Sequence, residues 1–143
     1  MNKKYTPADF LAEEKLYRGF KRNELNEQSI LMADVIHFPD FSCNWSRYST
    51  PDDIRKREGG RPTDGCFSFT VETARYQKIA TTCHDPLDNN YSHTEVRQLL
   101  PDEDVSIEPP KARKLKQGWA KRKRLEFRQN LANNLTIELD ALA

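Results

Sequence analysis

The sequence of 143 residues lacks the features that mark secreted and membrane proteins. Its three cysteines are widely spaced and include no CxxC pair, so no disulfide framework is expected and a reducing compartment is favoured. The first residues carry no apolar run of a secretory signal. The most apolar stretch, residues 30–38, is interrupted by Asp34 and His37 and is too short to cross a bilayer. These absences predict a soluble, cytoplasmic protein without a membrane partner.

Apolar residues are fewer than in an average globular protein, but they suffice for a core. Hydrophobic residues make up 36% of the chain and charged residues 31%, which is polar without reaching the disordered class. Seven Phe, five Tyr and two Trp supply large side chains for burial. The length suits one domain with a genuine interior.

A formal net charge of +1 hides an uneven distribution of charge. Residues 111–143 contain nine Lys/Arg and three Asp/Glu, a net of +6, whereas the other 110 residues hold fourteen against nineteen, a net of −5. Such asymmetry predicts that the C-terminal part meets an anionic surface.

The pattern of turns and apolar residues predicts an α+β fold, with a small antiparallel sheet, an N-terminal helix and a basic C-terminal helix. The N-terminal helix is expected to start at Thr6, which can cap it, and at Pro7, which suits the first helical position. It would continue through about Lys15 or Tyr17, and Gly19 would terminate it. A short helix is expected after Ser49, and strands are predicted at Ile30–Phe38, Cys66–Val71, Tyr76–Cys83 and His93–Leu99.

Prolines divide the chain into two expected parts. Residues 1–105 form an α+β body with a polar groove, and residues 106–143 form a proline-bounded connector followed by the basic helix. The helix is expected to continue through Leu131 and Leu135, which lie four positions apart. Leu135, Ile137 and Leu139 also alternate, so a terminal strand is the other interpretation.

Residues 84–97 hold the densest group of titratable and amide side chains in the sequence. If His93 and Glu95 lie on a strand they share one face, because side chains two positions apart in a strand point the same way. His84 and Asp85 would return to meet them across a turn, and two imidazoles with a carboxylate are typical of a catalytic metal site. The competing interpretation is an Asx-rich turn whose histidines bond the local backbone.

A second candidate site is an arginine-glycine pair near the start of the chain, in the segment Leu16-Tyr17-Arg18-Gly19-Phe20. Arg18 at the end of an element presents a planar fork to phosphate or carboxylate, unless it pairs with an acidic neighbour. The pentapeptide resembles the arginine-glycine element found early in some ADP-ribosyltransferases. In that family a Ser/Thr-bearing strand and a later glutamate bind NAD and assist glycosidic cleavage. The resemblance implies these roles for Ser49-Thr50 and for Glu95.

The segment of residues 41–49 is rich in side chains that stack. Trp45, Arg47 and Tyr48 belong to the residue types enriched at binding hot spots, and they suit stacking on a nucleobase. The alternative for Trp45 is a place in the core.

The basic segment of residues 111–128 contains nine cations and a single acid, Glu126. On a helix, cations at this density repel one another unless an anion compensates them. Nucleic acid and an acidic protein are the external candidates, and the acidic body of the same molecule is the internal one. The residues expected to bind are Lys114, Lys116, Trp119, Lys121, Arg122, Lys123, Arg124 and Arg128.

The sequence therefore predicts a small accessory protein that engages nucleic acid or an acidic protein partner through its basic C-terminal helix, alone or as part of a complex. Its groove is expected to comprise Arg18, Asn44, Arg47, His84, Asp85, Asn90, His93 and Glu95. One alternative is an enzyme, ADP-ribosyltransferase-like or a metal-dependent hydrolase, with Arg18, His84, His93 and Glu95 at the chemistry. Another is a structural subunit of a larger complex. The prediction assigns no cofactor and no metal.

Overall fold

Six strands form one antiparallel sheet in the computed structural model, which describes residues 3–36, 40–111 and 121–142. The strands are β1 (Lys15–Phe20), β2 (Asp40–Trp45), β3 (Gly65–Thr70), β4 (Ala80–His84), β5 (His93–Gln98) and β6 (Thr136–Leu139). Their order across the sheet is β4-β5-β2-β1-β3-β6. The mixed α+β class predicted from the sequence is confirmed.

Helices are short except for the last one. They are α1 (Asp53–Lys56), α2 (Val71–Ala74) and α3 (Lys121–Asn133), with 3-10 turns at Pro7–Asp9, Arg22–Glu24, Ala33–Val35 and Tyr76–Lys78. The hydroxyl of Thr70 caps α2 by accepting a hydrogen bond from the backbone N–H of Thr73 at 3.1 Å. In the described ranges, no helix is long and apolar enough to cross a membrane.

One face of the sheet carries the main hydrophobic core. Leu16 of β1 lies opposite Trp45 of β2, so both side chains point to the same side, and both are fully buried. Helix α3 contributes Phe127 and Leu131 to the same cluster. Each large apolar side chain buried in this way contributes about 1.5–3 kcal/mol. Phe127 and Leu131 are four residues apart, which places both side chains on the same face of α3.

The other face has a smaller apolar cluster and a polar region. Tyr17 lies opposite Asn44, one position from Leu16, and therefore on the side away from the main core. It packs with Ile54 of α1, Cys66 and Leu139. The β2 and β5 residues on this face are polar: Ser42, Asn44, His93, Glu95 and Arg97.

The sheet divides between β1 and β2. In the described ladders, β1 pairs with β3 along its whole length, but it pairs with β2 only at Leu16–Trp45 and Tyr17–Asn44. Beyond these two pairs the strands separate, while β2 continues to pair with β5. Arg18 and Gly19 on β1 therefore face a gap in the sheet.

The predicted N-terminal helix is wrong beyond its first turn. Asp9 accepts hydrogen bonds from the backbone and side chain of Thr6, as a helix start requires. However, only Pro7–Asp9 is helical, Phe10 is already extended, and Lys15–Phe20 is β1. The strand lacks clear alternation because both of its faces are covered, and its apolar pattern is therefore ambiguous between helix and strand.

The strand predicted at Ile30–Phe38 is also wrong over the residues described, and residues 37–39 lie outside them. Ala33–Val35 is a 3-10 turn. The side chain of Asn26 accepts hydrogen bonds from the N–H groups of Gln28 and Ile30, which holds this region as a loop.

Most other predicted elements are confirmed. The strands expected at Cys66–Val71 and His93–Leu99 correspond to β3 and β5, and the short helix after Ser49 is α1. The strand expected at Tyr76–Cys83 begins later, at Ala80, because a 3-10 turn precedes it.

The C-terminal part contains both elements that its pattern allowed. Helix α3 starts within the basic segment, and the alternating residues after it form β6, which pairs with β3 at the edge of the sheet. Residues 112–120, which include Lys114, Lys116 and Trp119, lie outside the described ranges. The division into parts at residue 105 stays a prediction.

Replacing Leu131 by alanine is expected to lower the free energy of unfolding by about 2–5 kcal/mol, because the change leaves a cavity at a fully buried position. Leu125→Ala on the same helix is the control: Leu125 is 49% exposed, so its change is expected to stay within about 0.5 kcal/mol. Urea denaturation measures both. Equal effects of the two variants would contradict the docking of α3 on the core.

Candidate functional site

A cleft of about 640 Å³ lies on the polar face of the sheet, beside the gap between β1 and β2. Its floor is formed by β1 and β2, and its walls by α1 and by the loop that joins β4 to β5. A second cavity of about 160 Å³ adjoins it. Arg18, Gly19 and Arg57 line both cavities and form the partition between them.

Arg18 lines this cleft from the gap between β1 and β2, although its register opposite Phe67 places it on the core side of β1. Its Nη1 donates a hydrogen bond to the backbone carbonyl of Ser42 at 2.6 Å, and its guanidinium lies 4.4 Å from the ring centre of Phe41. Among the residues described, no carboxylate forms a salt bridge with it, and the charge of Glu24, which lines the adjoining cavity, acts on it from a longer distance. Burial lowers the pKa of Arg18, which reflects the cost of holding the charge away from water.

Gly19 allows a second guanidinium to approach the first. A Cβ at this position would lie 2.8 Å from Nη1 of Arg57 and 2.8 Å from Cγ2 of Ile54. Arg57 has a distant counter-charge, since its Nη2 is 4.0 Å from Oδ2 of Asp64. The positive charge of Arg57 also disfavours ionisation of Arg18. Two guanidinium groups therefore lie near each other in a cleft whose lining also includes the carboxyl groups of Asp53 and Glu58, and they offer charged hydrogen-bond donors of the kind that bind anions.

His93 lines the cleft from β5, opposite Asn44 of β2. Its Nδ1 is 2.8 Å from the backbone oxygen of Asp85 and 3.6 Å from Oδ2 of the same residue. A carbonyl oxygen only accepts, so Nδ1 carries the proton in the neutral ring and Nε2 is left as an acceptor.

Asp85 is in turn held by Lys111, whose Nζ donates to Oδ2 at 2.9 Å. Burial would raise the pKa of Asp85, but the hydrogen bond and charge of Lys111 lower it below its usual value.

His84 has a different role. It is fully buried, its Nδ1 accepts from the backbone N–H of Tyr5 at 3.0 Å, and its Nε2 lies 2.7 Å from the backbone oxygen of Tyr91. The sheet register pairs His84 with Thr94, so the two histidines of residues 84–97 point to opposite faces. The predicted joint action of His84 and His93 is therefore wrong, and the described residues contain no metal-binding group of three or more His, Cys, Asp or Glu.

Glu95 lies directly opposite Ser42 on the cleft side of the sheet but does not line the cleft itself. Its Oε1 is held by the nearly fully buried Arg97, at 2.8 Å from Nε and 2.7 Å from Nη2. Its Oε2 has no hydrogen-bond partner in the part of the chain that is described.

The aromatic wall of the cleft consists of Tyr48 and Tyr91, whose ring centres are 4.9 Å apart at 75°. Trp45, predicted as a contact residue, is fully buried and belongs to the core. Arg47 stacks on Trp45 and forms a salt bridge with Glu14 at 2.9 Å, so its charge is already matched. Of these three predicted contact residues, Tyr48 is the one that faces the cleft.

The predicted basic residues of α3 lie apart from the cleft, because α3 packs on the core face. Lys121 and Arg122 are exposed. Arg122 and Lys123 lie 3.6 and 3.5 Å from the carboxylate of Glu126. The side chains of Arg124 and Arg128 are half-buried.

Comparisons with protein-family models, with curated proteins and with solved structures found no match to this chain.

The pattern of residues 84–97 predicted His93, Asn90 and Glu95 as candidate site residues. It did not predict Arg57, Tyr91 or Ser42. Gly19 was the available signal for Arg57, since a glycine inside a strand marks a close approach of another group.

The fully buried, neutral His84 is expected to make stability depend on pH. Burial lowers its folded pKa below the value of about 6.5 that it has when unfolded. The unfolded chain therefore takes up a proton first as pH falls, and stability is lost below about pH 6.5. Urea midpoints between pH 7.5 and 5.5 should fall in the parent protein and fall less in His84→Gln. Identical slopes would show that the buried imidazole does not contribute.

Proposed function

We propose that the cleft binds NAD and that the protein is an enzyme of the ADP-ribosyltransferase type. The observation that carries the proposal is the guanidinium of Arg18, which is half-buried and forms no salt bridge with the described carboxylates, although the more distant charge of Glu24 acts on it. A charge withdrawn from water without a directly bonded counter-charge is costly, so an anionic ligand complements it. Arg57 adds a second guanidinium, and the two phosphates of a dinucleotide match this pair.

The resemblance of residues 16–20 to the arginine-glycine element of ADP-ribosyltransferases supports the same substrate. That family uses a Ser/Thr-bearing strand and a later glutamate, and we assign these roles to Ser42 and Glu95, which are direct neighbours across β2 and β5. Ser49 and Thr50 do not suit the role, because they lie in the turn before α1 and not on a strand: the hydroxyl of Ser49 and the backbone N–H of Thr50 both donate to the carboxylate of Asp53.

The chemistry that we propose is cleavage of the bond between nicotinamide and ribose. Positive charge develops on the sugar as this bond breaks, and a nearby carboxylate stabilises it. Arg97 fixes the carboxylate of Glu95 through Oε1 and leaves Oε2 for a ribose hydroxyl. The volume of the cleft lies within the range of about 300–1,000 Å³ that is usual for ligand sites. Tyr48 and Tyr91 offer ring faces for stacking.

Arg18→Gln is expected to weaken NAD binding about 10- to 100-fold, since a charged hydrogen bond is worth about 1.5–3 kcal/mol. Arg18→Lys keeps the charge but loses the planar fork, so its affinity should lie between those of the parent and Arg18→Gln. Isothermal titration calorimetry with NAD measures the affinities, and chromatography of free nicotinamide measures cleavage.

Arg61→Gln is the matched control, because Arg61 is exposed and lines neither cavity. It should bind NAD like the parent. Absence of both NAD binding and nicotinamide release in the parent protein would contradict the proposed enzyme.

Binding of nucleic acid or an acidic protein through α3, alone or within a complex, is a second candidate function. It is supported by the four consecutive cations Lys121–Arg124 at the start of the helix, near one acid, Glu126. Lys121 and Arg122 are exposed, and Arg122–Glu126 is a loose surface pair. Exposed cations of this kind bind phosphates by releasing counterions.

Neutralising Lys121 and Arg122 by glutamine is expected to weaken binding to a labelled oligonucleotide and to reduce the salt dependence of log Kd by about 2. Fluorescence anisotropy between low and moderate salt measures this slope. Arg61→Gln with Lys56→Gln removes two exposed cations away from α3 and is the control for net charge, because Lys56 belongs to α1 on the opposite face of the sheet. If both double variants lose the same amount of oligonucleotide affinity, the proposal that α3 is the binding surface is contradicted.

We infer a cytoplasmic location from the cysteines. Cys43, Cys66 and Cys83 are all buried and unpaired, which suits a reducing compartment.

A further inference from the structure

The proposed cleavage leaves open which group accepts the proton of the attacking nucleophile. Glu95 is engaged by Arg97, and His84 is enclosed in the core with both ring nitrogens bonded to backbone groups. His93 differs from both, because its ring lines the cleft and its Nε2 has no hydrogen-bond partner within the described ranges.

The surroundings of His93 fix the ring in the form that a base needs. The backbone oxygen of Asp85 accepts a hydrogen bond from Nδ1–H of His93 at 2.8 Å. The carboxylate of Asp85 lies 3.6 Å from the same nitrogen, where its negative charge stabilises an imidazolium. Lys111 holds that carboxylate at 2.9 Å. A base oriented by a third group is the arrangement that activates nucleophiles in enzymes.

We propose that His93 is the general base of the cleft and that the acceptor is an O–H nucleophile, either water or the hydroxyl group of a substrate. This inference rests on the proposed NAD cleavage. The acceptor oxygen forms a new C–O bond to the ribose carbon as the C–N bond to nicotinamide breaks. Nicotinamide departs as a neutral molecule with the bonding electrons. The proton of the acceptor passes to Nε2 of His93 and from there to solvent.

Asp85 acts as a positioning residue in this scheme. The loop that carries it also carries the exposed Asp88, which lines neither cavity and provides a matched control with the same loss of charge.

The tautomers of the two histidines provide a test that needs no NAD. Long-range ¹⁵N–¹H NMR spectra of the neutral rings, assigned with His→Gln variants, should show the proton on Nδ1 in His93 and on Nε2 in His84. These opposite patterns follow from one ring donating to the backbone oxygen of Asp85 and the other accepting from Tyr5. A proton on Nε2 of His93 would overturn the inference.

The second test measures nicotinamide release from NAD by the full chain. His93→Ala is expected to slow release about 10²- to 10⁴-fold, the usual range for loss of a general base, while NAD affinity changes less than threefold. Added imidazole should restore part of the rate in His93→Ala and leave Arg18→Gln unchanged. Asp85→Asn should show a smaller loss than His93→Ala, and Asp88→Asn none.

The outcomes separate the two proposals. Undiminished release by His93→Ala overturns the role of His93 and leaves NAD cleavage standing. Lack of NAD binding and release in the parent overturns both. If His93→Ala does not fold, His93→Gln replaces it, and the tautomer spectra of the parent decide independently.

Discussion

Within the described residues, β1 and β2 share a ladder of two pairs, extended by a hydrogen bond from the N–H of Ser46 to the carbonyl of Lys15, and the cleft lies beside this short junction. Leu16–Trp45 and Tyr17–Asn44 connect the strands β4-β5-β2 with the strands β1-β3-β6. Aromatic packing supports this short junction, since Phe10 stacks on Trp45 with ring centres 3.9 Å apart. Backbone groups beyond the junction need other partners, and Arg18 supplies one to a β2 carbonyl. The same cation is thereby held at the mouth of the gap.

The strands that could be predicted from the sequence are those with one apolar face and one polar face. In β3, Phe67 and Phe69 face the core while Ser68 lies on the other side, and this period of two is visible in the sequence. Strand β1 has no such signal, because Leu16 and Phe20 enter one cluster and Tyr17 the other. A strand with both faces covered cannot be separated from a helix by periodicity alone.

The sequence indicated a segment that lines the cleft, but not which of its side chains share a face. The high density of polar residues in residues 84–97 indicated His93 and Glu95 as candidates. Whether the side chain of His84 lies on the same face as these two depends on the register of β4 against β5, which a local sequence pattern does not determine. Ser42 belongs to the candidate site because its strand, β2, lies beside Arg18. Arg57 belongs to it because α1 packs over Gly19. Both depend on tertiary packing.

Strand β6 completes the edge of the sheet with residues that are synthesised long after its partner β3. Until Thr136–Leu139 emerges, the outer side of β3 offers open backbone groups to any extended chain nearby. Pairing with β6 therefore occupies the same backbone groups of β3 through which edge-to-edge association between molecules would occur.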